Sequence, residues 1–270
     1  FEMLDVAIER EVAVFDTAAA YGCAEELLGE FIADRRCKNK IDVISKLRPN
    51  LINEDCKNPQ AVVEEEIKKS LMKMKIDILD GYLLHTPTDF YSPGIMEGLR
   101  YSKEKELVKN IGVSIYKYEH AVDVVKSGLV DYIQVPYSIL DQRMDQEEFF
   151  GLARKNTVKV YARSAFLQGL ILMNENEIPK NLEHVKDYLR VYDEIINEYG
   201  LTRIEAAIHF SYDHPGVDYW VFGVDNKKQL LQDIVIATKD KKIDECTKKI
   251  KEKLSNIETS IIFPSLWAKK

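Results

Sequence analysis

Val12-Ala13-Val14-Phe15-Asp16-Thr17-Ala18-Ala19-Ala20-Tyr21-Gly22 is a short apolar run closed by an acid, with a phenol shortly after it. A run of this kind bounded by turn residues reads as a buried parallel strand. The pattern recurs down the chain. Lys46 sits near the end of Ile41-Asp42-Val43-Ile44-Ser45, and His85 closes Gly81-Tyr82-Leu83-Leu84. In parallel α/β folds, side chains at the carboxyl ends of strands face the ligand cleft. An acid, a phenol, an amine and an imidazole at three such ends make a proton-transfer set, not a packing solution.

Outward from these runs, strand-like and helix-like segments alternate. Strands are predicted at Val12–Asp16, Ile41–Leu47, Ile78–His85, Val108–Ile115, Tyr132–Ser138, Val158–Ala165 and Tyr219–Val224. Helical stretches include Phe1–Glu9, Ala24–Asp34, Pro59–Met74, Tyr118–Lys126, Gln146–Lys155 and Leu182–Tyr199. Thr202 and Glu205 have capping-box spacing and open a further helix to Tyr212, stopped by His214-Pro215-Gly216. A lysine-rich amphipathic helix over about 239–257 carries Ile243, Cys246, Ile250 and Leu254 on one face. Strict alternation argues for a parallel sheet with helical crossovers. The expected fold is one (β/α)8 barrel domain over residues 1–270 with that last helix packed on it. Seven strands are read where a closed barrel needs eight, so the first strand is expected to precede Phe1; an unclosed barrel would expose two long edges.

Composition narrows the function. The chain has 270 residues, 46% apolar, and a net charge of -7 with dispersed basic residues, which argues against nucleic acid and anionic membrane as partners. No run is long and apolar enough for a membrane helix. Cys23, Cys37, Cys56 and Cys246 form neither a CxxC pair nor a metal-like spacing with histidine. Reduced thiols, a cytoplasmic location and no metal site are expected; oligomeric state is left open.

Phe15-Asp16-Thr17-Ala18-Ala19-Ala20-Tyr21-Gly22 closely resembles the signature of the aldo-keto reductases. Ile44-Ser45-Lys46-Leu47 and Leu83-Leu84-His85-Thr86-Pro87 resemble the family's lysine and histidine strands. Ile111-Gly112-Val113-Ser114, Gln134-Val135-Pro136-Tyr137, Gln168-Gly169-Leu170, His214-Pro215-Gly216-Val217, Phe222-Gly223-Val224 and Gln229-Leu230 follow in the family's order. The similarity runs from Phe1 to about Ile234 and is of the bacterial type. It implies a (β/α)8 barrel that reduces an aldehyde or ketone with a nicotinamide cofactor. Tyr21 would be the general acid; its unperturbed pKa of ~10 is too high for efficient transfer near neutrality. The Lys46 ammonium would favour the phenolate, Asp16 would fix Lys46, and His85 would orient the substrate oxygen. Ser114 and Gln134 match positions that hold the nicotinamide carboxamide. Gly223, Asp225, Asn226 and Gln229 surround a helix start suited to a cofactor phosphate. Arg163 and Ser164 lie where the family stacks an aromatic on the nicotinamide.

Three positions depart from the family. Ile115 replaces a second carboxamide ligand, Arg163 replaces the stacking aromatic, and Asp225 stands where many bacterial members carry a cation for the adenosine 2′-phosphate. The expected cofactor is NADP(H), narrowly ahead of NAD(H), with Lys227 and Lys228 offsetting Asp225. Two alternatives stay open: a nicotinamide-binding sensor or interaction module with little catalysis, and an aldolase using Lys46 as a Schiff-base nucleophile. Substrate choice is assigned to the loops Arg48–Asn58, Thr86–Pro93 and Met173–His184. Asn174, Glu175, Asn176 and Glu177 lean slightly towards a hydroxylated substrate.

Overall fold

The structure, a computed structural model, describes residues 1–52 and 56–267. Its elements alternate as the sequence pattern requires. In order they are α1 (Glu2–Glu9), β1 (Val14–Asp16), α2 (Ala24–Arg35), β2 (Asp42–Leu47), α3 (Pro59–Met74), β3 (Gly81–Leu84), α4 (Pro93–Glu104), β4 (Ile111–Ser114), α5 (Tyr118–Lys126) and β5 (Tyr132–Pro136). There follow α6 (Phe149–Lys155), β6 (Lys159–Arg163), α7 (Val185–Glu198), α8 (Arg203–Tyr212), β7 (Tyr219–Val221), α9 (Lys227–Ala237), α10 (Asp244–Lys253) and α11 (Thr259–Ile262). The described strands form one parallel sheet in chain order, β1 to β7. That is the order of a (β/α)8 barrel, in which each helix returns the chain to the next parallel strand.

The chain divides into two compact units, one of residues 1–134 and 152–159, the other of 135–151 and 160–270. In the first, β2, β3 and β4 are buried almost throughout, because helices cover one face and the sheet's own interior covers the other. Register runs Phe15 to Val43, Lys46 to Leu83, Leu83 to Gly112 and Ser114 to Gln134. A methyl group on Gly112 would lie 2.3 Å from the Tyr132 carbonyl oxygen, so only glycine lets β4 and β5 approach this closely. In the second unit, β6 pairs with β7 from Tyr161 and Tyr219 onward, and the Tyr137 N–H donates to the Arg163 carbonyl at 2.9 Å.

One device repeats where strands begin. The Asp80 carboxylate accepts the Val43 N–H at 2.9 Å, Asp131 accepts that of Ile111 at 2.9 Å, and Asp218 accepts that of Val160 at 2.8 Å. Each acid thus ties the entry of one strand to the backbone of the strand before it.

Strands are shorter than their apolar runs suggest: Val12 and Ala13 lie outside β1, and Ile78 to Asp80 outside β3. Apolar residues continue past the strand ends: Leu79 is buried beside β3, while Val12 and Ile78 are half-buried and Ala13 is exposed. Helix α4 was not foreseen, since Ser92-Pro93-Gly94 resembles a turn; Ile95, Met96 and Leu99 nevertheless bury one face of it. The stretch expected as one helix from Leu182 starts as a 3-10 turn and becomes α7 at Val185. Of the helix expected over about 239–257, α10 occupies Asp244–Lys253, with Cys246 and Ile250 inward. The capping box forms: the Thr202 hydroxyl accepts the Glu205 N–H, and Glu205 accepts the Thr202 N–H at 2.9 Å. Among the described residues, no helix is long and apolar enough to cross a membrane.

Candidate active site

Within the first unit, Asp16 ends β1, Lys46 lies in β2, His85 directly follows β3, Ser114 ends β4 and Gln134 sits in β5. Tyr21 occupies the turn between β1 and α2. Lys46 is 1% exposed, and its ammonium donates to Asp16 at 2.5 Å and to the Thr17 carbonyl at 2.9 Å. An ammonium this deep is tolerable only with such partners, since an uncompensated buried charge is costly. The same ammonium lies 5.4 Å from the centre of the Tyr21 ring. Tyr21 is 49% exposed, and its ring meets His85 edge-on with centroids 5.7 Å apart. The phenol therefore has a buried cation behind it, an imidazole at its side and solvent in front.

The other oxygen of Asp16 is held as well. Gln134 Nε2 donates to it at 3.0 Å, while Gln134 Oε1 accepts from the Ser114 hydroxyl at 3.4 Å. The structure thus brings together six of the sequence-selected residues: Asp16, Tyr21, Lys46, His85, Ser114 and Gln134. Ile115, fully buried, presents no polar side chain beside them.

The remaining candidates lie in the second unit. Arg163 ends β6 and donates from Nη1 to the Ser164 hydroxyl at 3.1 Å. Ser164 has a left-handed backbone, φ 66°, which opens the turn after β6. That turn and the segment after β7 enclose a cavity of about 580 Å³ whose lining includes Ser164, Gly223, Asp225 and Gln229. Asn226 caps α9 by accepting the Gln229 N–H at 3.0 Å, and Gln229 in turn accepts the Asp225 N–H at 2.8 Å. Carbon at Gly223 would meet nothing within 4 Å, so the backbone there is open to a ligand. Sequence reasoning missed Asp233, which lines the same cavity and whose carboxyl burial pushes up to about 6. The signal was present: an acid four residues after Gln229, on the same helical face, inside an otherwise uncharged stretch.

Of the three loops, Arg48–Asn58 falls partly outside the described residues. Pro87–Tyr91 forms a 3-10 turn. In the third, the exposed Glu177 accepts from Asn174 at 2.9 Å and the exposed Glu175 pairs with Arg190 at 2.8 Å.

A family profile described as "Aldo/keto reductase family" matches residues 1–255. The chain belongs to the aldo/keto reductase family. It is similar to an uncharacterized oxidoreductase, YqkF, of Bacillus subtilis, with 25% identity over 87% of this chain and 81% of that protein. An NADH-specific methylglyoxal reductase of Escherichia coli is 31% identical over 40% of this chain and 34% of its own length. Among solved structures, aldo-keto reductase AKR11C1 from Bacillus halodurans in its holo form superposes with a TM-score of 0.78 at 22% identity, covering 97% of this chain and 89% of that one. The fold is therefore the (β/α)8 barrel, and this aldo-keto reductase is an NAD(P)H-dependent oxidoreductase that reduces carbonyl compounds.

Proposed function

We propose that the enzyme reduces an aldehyde or ketone with Tyr21 as proton donor, Lys46 and Asp16 as the pair that acidifies it, and His85 as the group that orients the substrate oxygen. The observation that carries this is the buried Lys46 ammonium, fixed by Asp16 at 2.5 Å and standing 5.4 Å from the Tyr21 ring. A cation at that range favours the phenolate and so eases proton release. A reduced nicotinamide, when bound, would supply the hydride for the carbonyl carbon. The carbonyl π bond breaks as its oxygen takes the Tyr21 proton, and the exposed phenolate regains a proton from water. Ser114 and Gln134 suit a carboxamide, because each retains donor or acceptor capacity beyond the bonds described. Gly223 and the start of α9 suit a phosphate.

The test is direct. Tyr21→Phe keeps the ring and removes the proton, so turnover of an aldehyde panel should fall ~100-fold or more with little change in cofactor affinity. Near-native turnover would overturn the role of Tyr21.

For the cofactor, the sequence keeps NADP(H) narrowly ahead, with Lys227 and Lys228 set against Asp225. Among the described residues, Asp225 and Asp233 both line the 580 Å³ cavity, whereas Lys227 and Lys228 do not. The adenosine 2′-phosphate that distinguishes NADPH would meet these two acids, whereas the free ribose hydroxyls of NADH could donate to them. We therefore favour NAD(H). The buried Ile115 offers the carboxamide no polar atom, so cofactor affinity falls to the remaining contacts.

A further inference from the structure

Asp16 has two holders, and the second has no part in the proton-transfer scheme. A carboxylate can only accept, so the atom of Gln134 that faces it at 3.0 Å is the amide nitrogen. That choice turns Gln134 Oε1 towards the Ser114 hydroxyl, 3.4 Å away, which must then donate. The direction of every bond follows: Ser114 donates to Gln134, Gln134 donates to Asp16 at Oδ1, and Lys46 donates to Asp16 at Oδ2. Gln134 is 2% exposed, so water does not compete for these contacts.

We propose that Gln134 is a positioning residue for the Asp16–Lys46 pair and, through that pair, sets how readily Tyr21 releases its proton. The proposal rests on Tyr21 being the acid. Its physical content is the N–H dipole that Gln134 brings to Asp16. With the dipole present, part of the carboxylate's charge is compensated from the side away from Lys46. Without it, more uncompensated negative charge faces Lys46 and Tyr21, and the phenolate becomes harder to form. Among the described contacts, the Lys46 ammonium from β2 lies 5.4 Å from the Tyr21 ring, His85 after β3 meets that ring edge-on, and Asp16 from β1 acts through Lys46. Gln134 is neutral at every pH, so it can bias this trio without itself titrating. Its amide keeps a second N–H and a second lone pair. The side chain that suits a cofactor carboxamide therefore also touches the acidifying pair, and losing it should affect two separable quantities.

Three variants test this. In cofactor-free protein, the tyrosinate absorbance of Tyr21 is obtained by subtracting the titration of Tyr21→Phe. In Gln134→Met this step should move to higher pH by about one unit, the shift that a tenfold change in the ionisation constant produces. The alkaline limb of kcat should move in the same direction. Cofactor dissociation constants, measured separately, report the carboxamide contact. If the step and the limb both stay in place while only cofactor affinity falls, the proposal is overturned. If Gln134→Met does not fold, Gln134→Asn, with the amide one methylene short, carries the same measurement. Gln134→Glu supplies the opposite signature. Two carboxyls sharing a site do not both ionise readily, so the new acid takes up a proton and donates it to Asp16 as pH falls. Activity should then recover towards acid pH relative to Gln134→Met; a flat profile would count against the proposal. A tyrosinate step that moves while the kcat limb does not would support the link to Gln134 and sink Tyr21 as the acid.

Discussion

Lys46 is a long, strongly hydrated side chain placed where water hardly reaches, and the fold tolerates it by surrounding it with acceptors. Asp16 accepts one of its N–H groups and the Thr17 carbonyl another. Lys46→Met matches its length and deletes the charge. Turnover should collapse, and stability should fall by ~3–5 kcal/mol at most, because the residual carboxylate loses its cation. The loss should lie below that limit, since Gln134 still donates to Asp16. Urea unfolding alongside aldehyde turnover checks both; an unchanged midpoint with unchanged turnover would show that the pair is dispensable. Borohydride with a carbonyl ligand should leave no adduct on Lys46, whose nitrogen is engaged and buried. Recovery of such an adduct would make it a nucleophile. At this scale the sequence was informative about which residues matter and silent about how they join. Asp16, Tyr21, Lys46 and His85 announce themselves as polar groups ending apolar runs. The bond between Asp16 and Gln134 spans 118 positions, and no local pattern encodes a contact of that range.

Two helices carry acids whose protonation should be visible in stability. At the start of α8, Glu205 is held down to about 2, chiefly by the Thr202 N–H, against burial and with help from the Thr202 hydroxyl and Lys241. A depressed carboxyl stabilises above its unfolded value near 4.5 and loses that contribution as pH falls towards 2. Glu205→Ala should therefore cost ~1 kcal/mol at neutral pH, the scale of a lost cap, with the gap to the native protein closing below about pH 4. In α9 the sign reverses. Burial raises the Asp233 carboxyl from 3.8 to about 6, so folding holds a proton that the unfolded chain has released. Stability attributable to this proton is full below pH 3.8 and is lost as pH rises through about 6. Asp233→Asn should raise the unfolding free energy above pH 6 by roughly 1–3 kcal/mol and make no difference near pH 3.5. A variant less stable than the native protein at pH 8 would mean that Asp233 has a compensating partner. The caps themselves were legible, Thr202 with Glu205 by spacing and Asn226 by residue type. Helix α4 was not, because Pro93-Gly94 carries a turn signal that the burial of Ile95, Met96 and Leu99 overrides.

For the molecule as a whole, the strand order was legible because parallel strands buried on both faces are continuous apolar runs, whereas their ends were not, because apolar residues such as Val12, Ala13 and Ile78 run on outside the strands. Cofactor choice belongs to this scale too, since it sets which cellular reductant the enzyme draws on. Asp225→Arg exchanges an acid for a cation in the cavity lining and should move the ratio of NADPH to NADH dissociation constants by ~1–3 kcal/mol, the range of charge-assisted bonds. An unchanged ratio would show that the adenosine end lies elsewhere. The three aspartates at strand entries have a consequence in time. Asp80, Asp131 and Asp218 close chain segments of 37, 20 and 58 positions onto Val43, Ile111 and Val160. Closure entropy grows only logarithmically, so these loops differ by about 1 kcal/mol or less. A strand slipped by one residue would take the carboxylate off its amide. The amide protons of Val43, Ile111 and Val160 are therefore timestamps: in pulsed hydrogen exchange during refolding, each becomes protected when its strand pair reaches register. Simultaneous protection would mark one cooperative closure of the sheet, and staggered protection would date its assembly pair by pair.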